Sequence, residues 1–283
     1  MGIYLIPILI LVAIALIAGI ILTLAAKFMA VEVDETVAKL RDVLPGANCG
    51  ACGYAGCDAY AEALAADNTV KGNLCTPGGS TVVSAIGEIL GVDVEELESR
   101  YAIVRCSGTY DKTQYVMNFE GIQSCSANKL FYRGRGACSK ACLGYGDCVK
   151  VCDYGAITMV DGVAKIDKNK CVACELCVQS CPNELITMVP SKLTTYVACS
   201  NTDKPAKTHK ICSAGCIGCK KCEKTCKFDA IHVTNNLAVI DPEKCKNCGM
   251  CIKVCPVDVI KSNKPVKPKI VARDKVEQVA EAQ

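Results

Sequence analysis

Cysteine spacing constrains this chain more than any other feature. Cys216, Cys219, Cys222 and Cys226 form a C-x₂-C-x₂-C-x₃-C run. Cys171 to Cys181 and Cys245 to Cys255 repeat it, each followed by proline. Four thiolates at this spacing hold a 4Fe–4S cluster. Neighbouring thiols in C-x₂-C pairs favour a shared metal over a disulfide scaffold, and thiolate centres imply a reducing compartment. The 283 residues include 24 cysteines but only 2 histidines, 4 phenylalanines and no tryptophan. So few aromatics cannot fill large cores. Small modules held by inorganic centres are expected, in which binding energy is largely folding energy. The formal net charge of +3 is not that of a nucleic-acid-binding protein.

Residues 1–26 carry no charged side chain, and Ile3 to Ala26 is long and apolar enough to span a bilayer as one helix. A secretory signal needs a basic leader and a shorter apolar core. No Lys or Arg precedes Lys27, so a retained anchor is expected. Lys27, Lys39 and Arg41 follow the span, and the positive-inside rule puts everything after it in the cytoplasm. The span holds no internal ionisable residue, so it cannot itself be an ion pathway.

Val33, Val37, Leu40 and Leu44 form a helical stripe with Asp34 as N-cap, ended by Pro45-Gly46. Ile86 to Tyr101 reads as another helix, interrupted by Gly91. From Cys138 the chain repeats itself. ITMVDGVAKID and IHVTNNLAVID each read as a hairpin, turning at Asp161-Gly162 and Asn235-Asn236. Each hairpin lies between two cysteine runs, which is the organisation of a two-cluster ferredoxin. The expected fold class is α+β. It comprises a single N-terminal transmembrane helix (1–26), a small helical four-cysteine iron–sulfur domain (27–101) and a connecting segment (102–137). Two tandem bacterial-type two-cluster ferredoxin modules (138–198 and 199–263) and a polar tail (264–283) complete it.

In a two-cluster ferredoxin the last cysteine of each run serves the other cluster. This gives Cys216, Cys219, Cys222 and Cys255 as one set, and Cys226, Cys245, Cys248 and Cys251 as its partner. In the earlier module Cys152, Cys171, Cys174 and Cys177 form a regular set. Its first run is irregular, because Tyr145 stands where the later repeat has Cys219. Cys138 is the nearest substitute, giving Cys138, Cys142, Cys148 and Cys181, with a 3Fe–4S site as the rival. Near the N-terminus, Cys49, Cys52, Cys57 and Cys75 form a further four-thiol set for which tetrahedral zinc is the alternative. Four cysteines remain: Cys106, Cys125, Cys199 and Cys212, each followed by serine. They make either a sixth cluster, bridging the two modules, or free thiols. If Cys138 belongs with this group, the first module loses a ligand, so the two assignments are coupled.

An apolar anchor, then LPGANCGACGYAGC with Cys75, then ferredoxin-type runs, resembles the B subunit of the Rnf electron-transport complex, from the anchor through Cys255. The second module and the scattered thiols resemble the larger anaerobe-type members. The division of 24 cysteines into sets of four gives up to six 4Fe–4S clusters. The resemblance implies iron–sulfur at Cys49 to Cys75. It also implies electrons taken from reduced ferredoxin and passed to other Rnf subunits of a complex that reduces NAD⁺ and moves Na⁺ or H⁺. It implies a single-pass place in the cytoplasmic membrane. The alternatives are a polyferredoxin serving a membrane-bound hydrogenase or dehydrogenase, and a sensor or scaffold with structural clusters.

The chain itself shows no P-loop and no dinucleotide fingerprint. His209 and His232 are isolated and read as surface and hairpin residues. Lys220, Lys221, Lys224 and Lys227 interleave with one cysteine run, and Lys244, Lys246 and Lys253 with its partner. Ferredoxins are commonly acidic, so this bias points to the C-terminal module as a docking port, the alternative being a merely solvated face. The first module would then relay inward, towards the Cys49-to-Cys75 site.

Overall fold

A computed structural model describes residues 2–28, 34–67, 69–95 and 98–263. The polar tail expected at 264–283, and Val33 of the first helical stripe, lie outside the described residues. Helix α1 (Gly2–Phe28) contains an 18-residue window, Ile8–Ala25, of mean hydropathy 3.1 with none of it buried. It is long and apolar enough to cross a membrane.

The next unit is helical. In α2 (Glu35–Val43), the Asp34 carboxylate caps the helix by accepting from the Thr36 N–H at 2.8 Å. With α3 (Cys57–Ala66) and α4 (Gly79–Leu90) it encloses Leu40, Leu64 and Ile86, each fully buried. Burial of one such side chain contributes roughly 1.5–3 kcal/mol. Cys57 and Cys75 belong to the same core. The helix expected over Ile86 to Tyr101 is corrected here. α4 stops at Leu90 because Gly91 takes the left-handed conformation (φ +67°) that closes a helix.

Arg100 and Tyr101 instead open strand β1 (Arg100–Val104). The first module continues through α5 (Cys125–Leu130), α6 (Asp147–Lys150), the hairpin β2 (Ile157–Val160) and β3 (Val163–Ile166), α7 (Leu176–Ser180) and β4 (Ile186–Pro190). The second runs through β5 (Thr195–Val197), α8 (Pro205–Ile211), α9 (Lys221–Thr225), the hairpin β6 (Ile231–Thr234) and β7 (Leu237–Ile240), α10 (Met250–Val254) and β8 (Ile260–Ser262). Both hairpins turn where the sequence predicts. All four turn residues have positive φ, from 48° at Asp161 and Asn235 to 81° at Gly162.

Each module also has a second two-stranded sheet that joins its ends. β1 pairs antiparallel with β4, from Arg100↔Pro190 to Val104↔Ile186. β5 pairs with β8, from Thr195↔Ser262 to Val197↔Ile260. Strands β1 and β5, which these sheets tie to the ends of the modules, lie ahead of the expected starts at 138 and 199. The segment between β1 and Cys138 is an insertion within the first module. Each module has its own core, and buried cysteines are part of it: Cys148 and Cys177 with Ile157, Val163 and Ile186, and Cys216 and Cys222 with Ile231, Leu237 and Ile260.

Candidate iron–sulfur centres

All 24 cysteines are free thiols. Loop conformation explains how the runs gather them. Ala173 and Glu175 have φ of 60° and 63°, Gly218 and Lys220 of 60° and 59°, Asn247 and Gly249 of 54° and 75°. Alternate left-handed residues curl each run into a cup ahead of a short helix. A residue with a Cβ pays roughly 1–2 kcal/mol for that conformation. Such strain persists where surrounding structure or function demands it.

Five cavities, each with about 320 to 400 Å³ of space between atoms including their open mouths, are lined by four cysteines apiece. Three match the expected regular sets. Cys152, Cys171, Cys174 and Cys177 line one, Cys216, Cys219, Cys222 and Cys255 another, and Cys226, Cys245, Cys248 and Cys251 a third. In the N-terminal unit Cys75 lies within electrostatic reach of Cys49, Cys52 and Cys57. The sulfurs surround cavities, which suits a multi-iron core.

The two irregular groups differ from expectation by an exchange. Cys125, not Cys138, lines the cavity of Cys142, Cys148 and Cys181. Cys138, not Cys125, stands with Cys106, Cys199 and Cys212. The first cavity is completed by the insertion. Asp147 accepts from the Ser124 hydroxyl at 2.8 Å and the Ser126 N–H at 3.1 Å, which pins the start of α5 and holds Cys125 beside Cys148. Burial raises the Asp147 pKa, but these donors outweigh it and hold the carboxyl below its usual value. Gly144 and Gly146 keep the left-handed pair (φ 82° and 74°), so the cup survives although Tyr145 replaces its middle cysteine.

The second group has an internal two-fold logic. Cys106 follows β1 as Cys199 follows β5. Cys138 precedes Cys142 by the same interval at which Cys212 precedes Cys216, and both are followed by serine. Backbone donors repeat as well. The Cys142 N–H points at Cys106 Sγ (3.4 Å) and the Cys216 N–H at Cys199 Sγ (3.5 Å). Gly108 and Asn201, each two residues on, supply a second N–H to the same sulfurs. Each module thus contributes half of a four-thiol cavity at their junction. The sequence carried this signal in the matched CS pairs at 138 and 212. The nearness of Cys138 to the irregular run obscured it.

The sets form a sequence in space. Thr76 Oγ1 donates to the Ala173 carbonyl at 3.1 Å, bringing the N-terminal unit against the Cys171 loop, where Cys49 acts on Cys174. Cys177 acts on Cys148 within the first module, Cys106 touches the Cys142 N–H, and Cys199 touches that of Cys216. Exposure changes along this series. Cys219 and Cys248 are exposed, whereas Cys125, Cys138 and Cys148 are buried. Burial pushes Cys106, Cys148 and Cys177 up to about 12, and Cys138 and Cys222 to about 11. Such thiols give up their protons when a metal takes them. Four thiols, apolar walls and backbone N–H groups aimed at sulfur are the donor set of a 4Fe–4S cluster. The chain's residues fit that group.

Lys220, Lys221, Lys224 and Lys227 are all exposed, and the first two help to line the cavity of Cys219. His209 is exposed on α8, and His232 lies in β6 within 3.7 Å of Glu223 and 3.5 Å of Asp229.

Known families match three parts of the chain. An Fe–S cluster family (FeS) matches residues 44–77, a 4Fe-4S binding domain 164–187 and a 4Fe-4S dicluster domain 215–259. The junction thiols Cys106, Cys138, Cys199 and Cys212 lie outside all three ranges. The B subunit of the ion-translocating oxidoreductase complex of Methanosarcina acetivorans is 37% identical, over 86% of this chain and 92% of its own length. The B subunit of the Na⁺-translocating ferredoxin:NAD⁺ oxidoreductase complex of Acetobacterium woodii is 38% identical, over 90% and 77%. That of the proton-translocating complex of Clostridium ljungdahlii is 39% identical, over 88% and 89%.

Proposed function

Because the chain belongs to the B-subunit family of the ion-translocating ferredoxin:NAD⁺ oxidoreductase (Rnf) complexes, we propose that it is their membrane-anchored electron-input component, accepting electrons from reduced ferredoxin and relaying them to other subunits. The observation that carries this reading is the series of five four-thiol sets from the Cys219 loop, whose cavity Lys220 and Lys221 help to line, to the N-terminal unit that follows α1 in the chain, with a sixth set in the second module. When bound, 4Fe–4S clusters supply one-electron redox centres at these sets.

In this reading the ligand sets are Cys49, Cys52, Cys57 and Cys75; Cys152, Cys171, Cys174 and Cys177; Cys125, Cys142, Cys148 and Cys181; Cys106, Cys138, Cys199 and Cys212; Cys216, Cys219, Cys222 and Cys255; and Cys226, Cys245, Cys248 and Cys251. The cup-forming loops hold the sulfurs apart, and backbone N–H groups stabilise their charge. The apolar cores exclude water from the inner sets. The exposed lysines attract an acidic carrier to the outermost loop. Helix α1 anchors the chain, with the thiol sets on the cytoplasmic side as the lysines and arginine after the span require.

Sealed membrane vesicles test the function and the sidedness together. Reduced ferredoxin should bleach the iron–sulfur absorbance of inverted vesicles carrying this chain as their only iron–sulfur protein, and leave right-side-out vesicles unchanged. Bleaching in sealed right-side-out vesicles contradicts the sidedness. Inverted vesicles that respond to dithionite and not to ferredoxin contradict the input role.

A further inference from the structure

The cavity of Cys125, Cys142, Cys148 and Cys181 lies beside a half-buried arginine that has no counterpart in the second module. Arg135 is half-buried in the insertion. Its guanidinium carbon stands 4.8 Å from the ring centre of Tyr145, 4.9 Å from Tyr115 and 5.7 Å from Tyr110. The Tyr110 hydroxyl hydrogen-bonds with the guanidinium, and all three tyrosines act on its charge. Its Nε has no hydrogen-bond partner among the described residues. The cage holds the charge without neutralising it.

The placement is specific. A Cβ at Gly144 would stand 2.7 Å from one guanidinium nitrogen, so the arginine tip lies directly against that backbone. The Gly144 N–H donates to the Cys142 sulfur. Tyr115, on another side of the cage, lies within electrostatic reach of both Cys142 and Cys106. Arg135 therefore stands where the Cys142 set meets the junction set. The second module contains no arginine between 195 and 263. At the place of Tyr145 it has the exposed Cys219.

Keeping a guanidinium partly desolvated costs free energy that a packed apolar side chain in its place avoids. We propose that Arg135 is a positioning residue whose fixed charge raises the reduction potential of the cluster held by Cys125, Cys142, Cys148 and Cys181, and to a smaller extent that of the junction set. Reduction adds one electron, taken from a reduced donor that is oxidised by one, and no proton need accompany it. A fixed positive charge nearby favours the more negative, reduced form, the more so where the dielectric is low. This inference rests on the cluster reading above.

The test is an EPR-monitored redox titration of the full chain, purified anaerobically with its clusters, as wild type, Arg135→Gln and Arg135→Lys. Cys125→Ser and Cys138→Ser identify the two signals concerned. The expected result is a lower midpoint potential for the Cys125-set signal in Arg135→Gln and a smaller drop for the junction signal. The other four signals should not move, iron content should be unchanged, and Arg135→Lys should stay near wild type. No shift in Arg135→Gln, or equal shifts in both variants, overturns the proposal. If Arg135→Gln loses that cluster, full iron and a wild-type potential in Arg135→Lys uphold it, and loss there too overturns it. A wild-type chain without cluster signals refutes the cluster reading itself, which is a separate failure.

Discussion

Loop 142–148 of the first module and loop 216–222 of the second turn through the same left-handed pair, Gly144 and Gly146 against Gly218 and Lys220. Between the members of each pair stands Tyr145 in one and Cys219 in the other. Cys219 is exposed, and Lys220 and Lys221 share its cavity. Tyr145 is covered: its ring meets Arg135 and lies 5.9 Å from Phe119 of the insertion. Asp147 occupies the place that Lys221 holds in the repeat, and there it pins the segment carrying Cys125. One backbone thus serves two purposes. Where the loop keeps its own thiols, the set lies open to a partner. Where one thiol is supplied from elsewhere, the segment that brings it also closes the site off.

The sharpest break between the loops concerns iron. Cys219→Ser should lose up to about four iron per chain or convert its cluster to a three-iron form, whereas Tyr145→Phe should retain full content. Iron and sulfide assays on anaerobically prepared protein measure this. Equal losses in both variants mean that Tyr145 matters to its site as Cys219 does to its own, and the comparison fails.

A smaller effect is expected at the exposed face. Lys220, Lys221 and Lys224 changed together to Glu should slow electron uptake from reduced ferredoxin at low salt by about tenfold or more. The difference should shrink as salt rises towards a Debye length of a few ångströms. Reduction by a small neutral donor should be unaffected. Stopped-flow bleaching reads both rates. An unchanged rate with unchanged salt dependence moves the port to another face.

Local signals made the hairpins and the regular thiol sets legible. Asp161-Gly162 and Asn235-Asn236 need only their own φ values to turn the chain, and C-x₂-C-x₂-C supplies three ligands from a single loop. Long-range pairing was not legible. Tyr101 reads as helical from its neighbours, yet its strand is fixed by Ile186 to Pro190, far along the chain. The exchange of Cys125 and Cys138 has the same origin. Proximity in sequence favours Cys138 for the irregular loop. Asp147 and the Ser124 cap bring Cys125 there instead, and the β1 and β5 strands carry Cys106 and Cys199 to Cys138 and Cys212. The CS pairs at 106 and 199 and at 138 and 212, matched between the two repeats, were the written trace of that junction.

A centre built half from each module is the claim on which the rest depends, and ligand substitution addresses it directly. Iron content and EPR spectra should be compared for Cys138→Ser, Cys212→Ser, their double variant and Cys181→Ser. Cys138→Ser and Cys212→Ser should lose or alter one and the same signal, the double variant should lose no second one, and Cys181→Ser should affect a different signal. If Cys138→Ser instead alters the signal that Cys181→Ser alters, Cys138 belongs to the first module alone, and the shared junction centre does not exist.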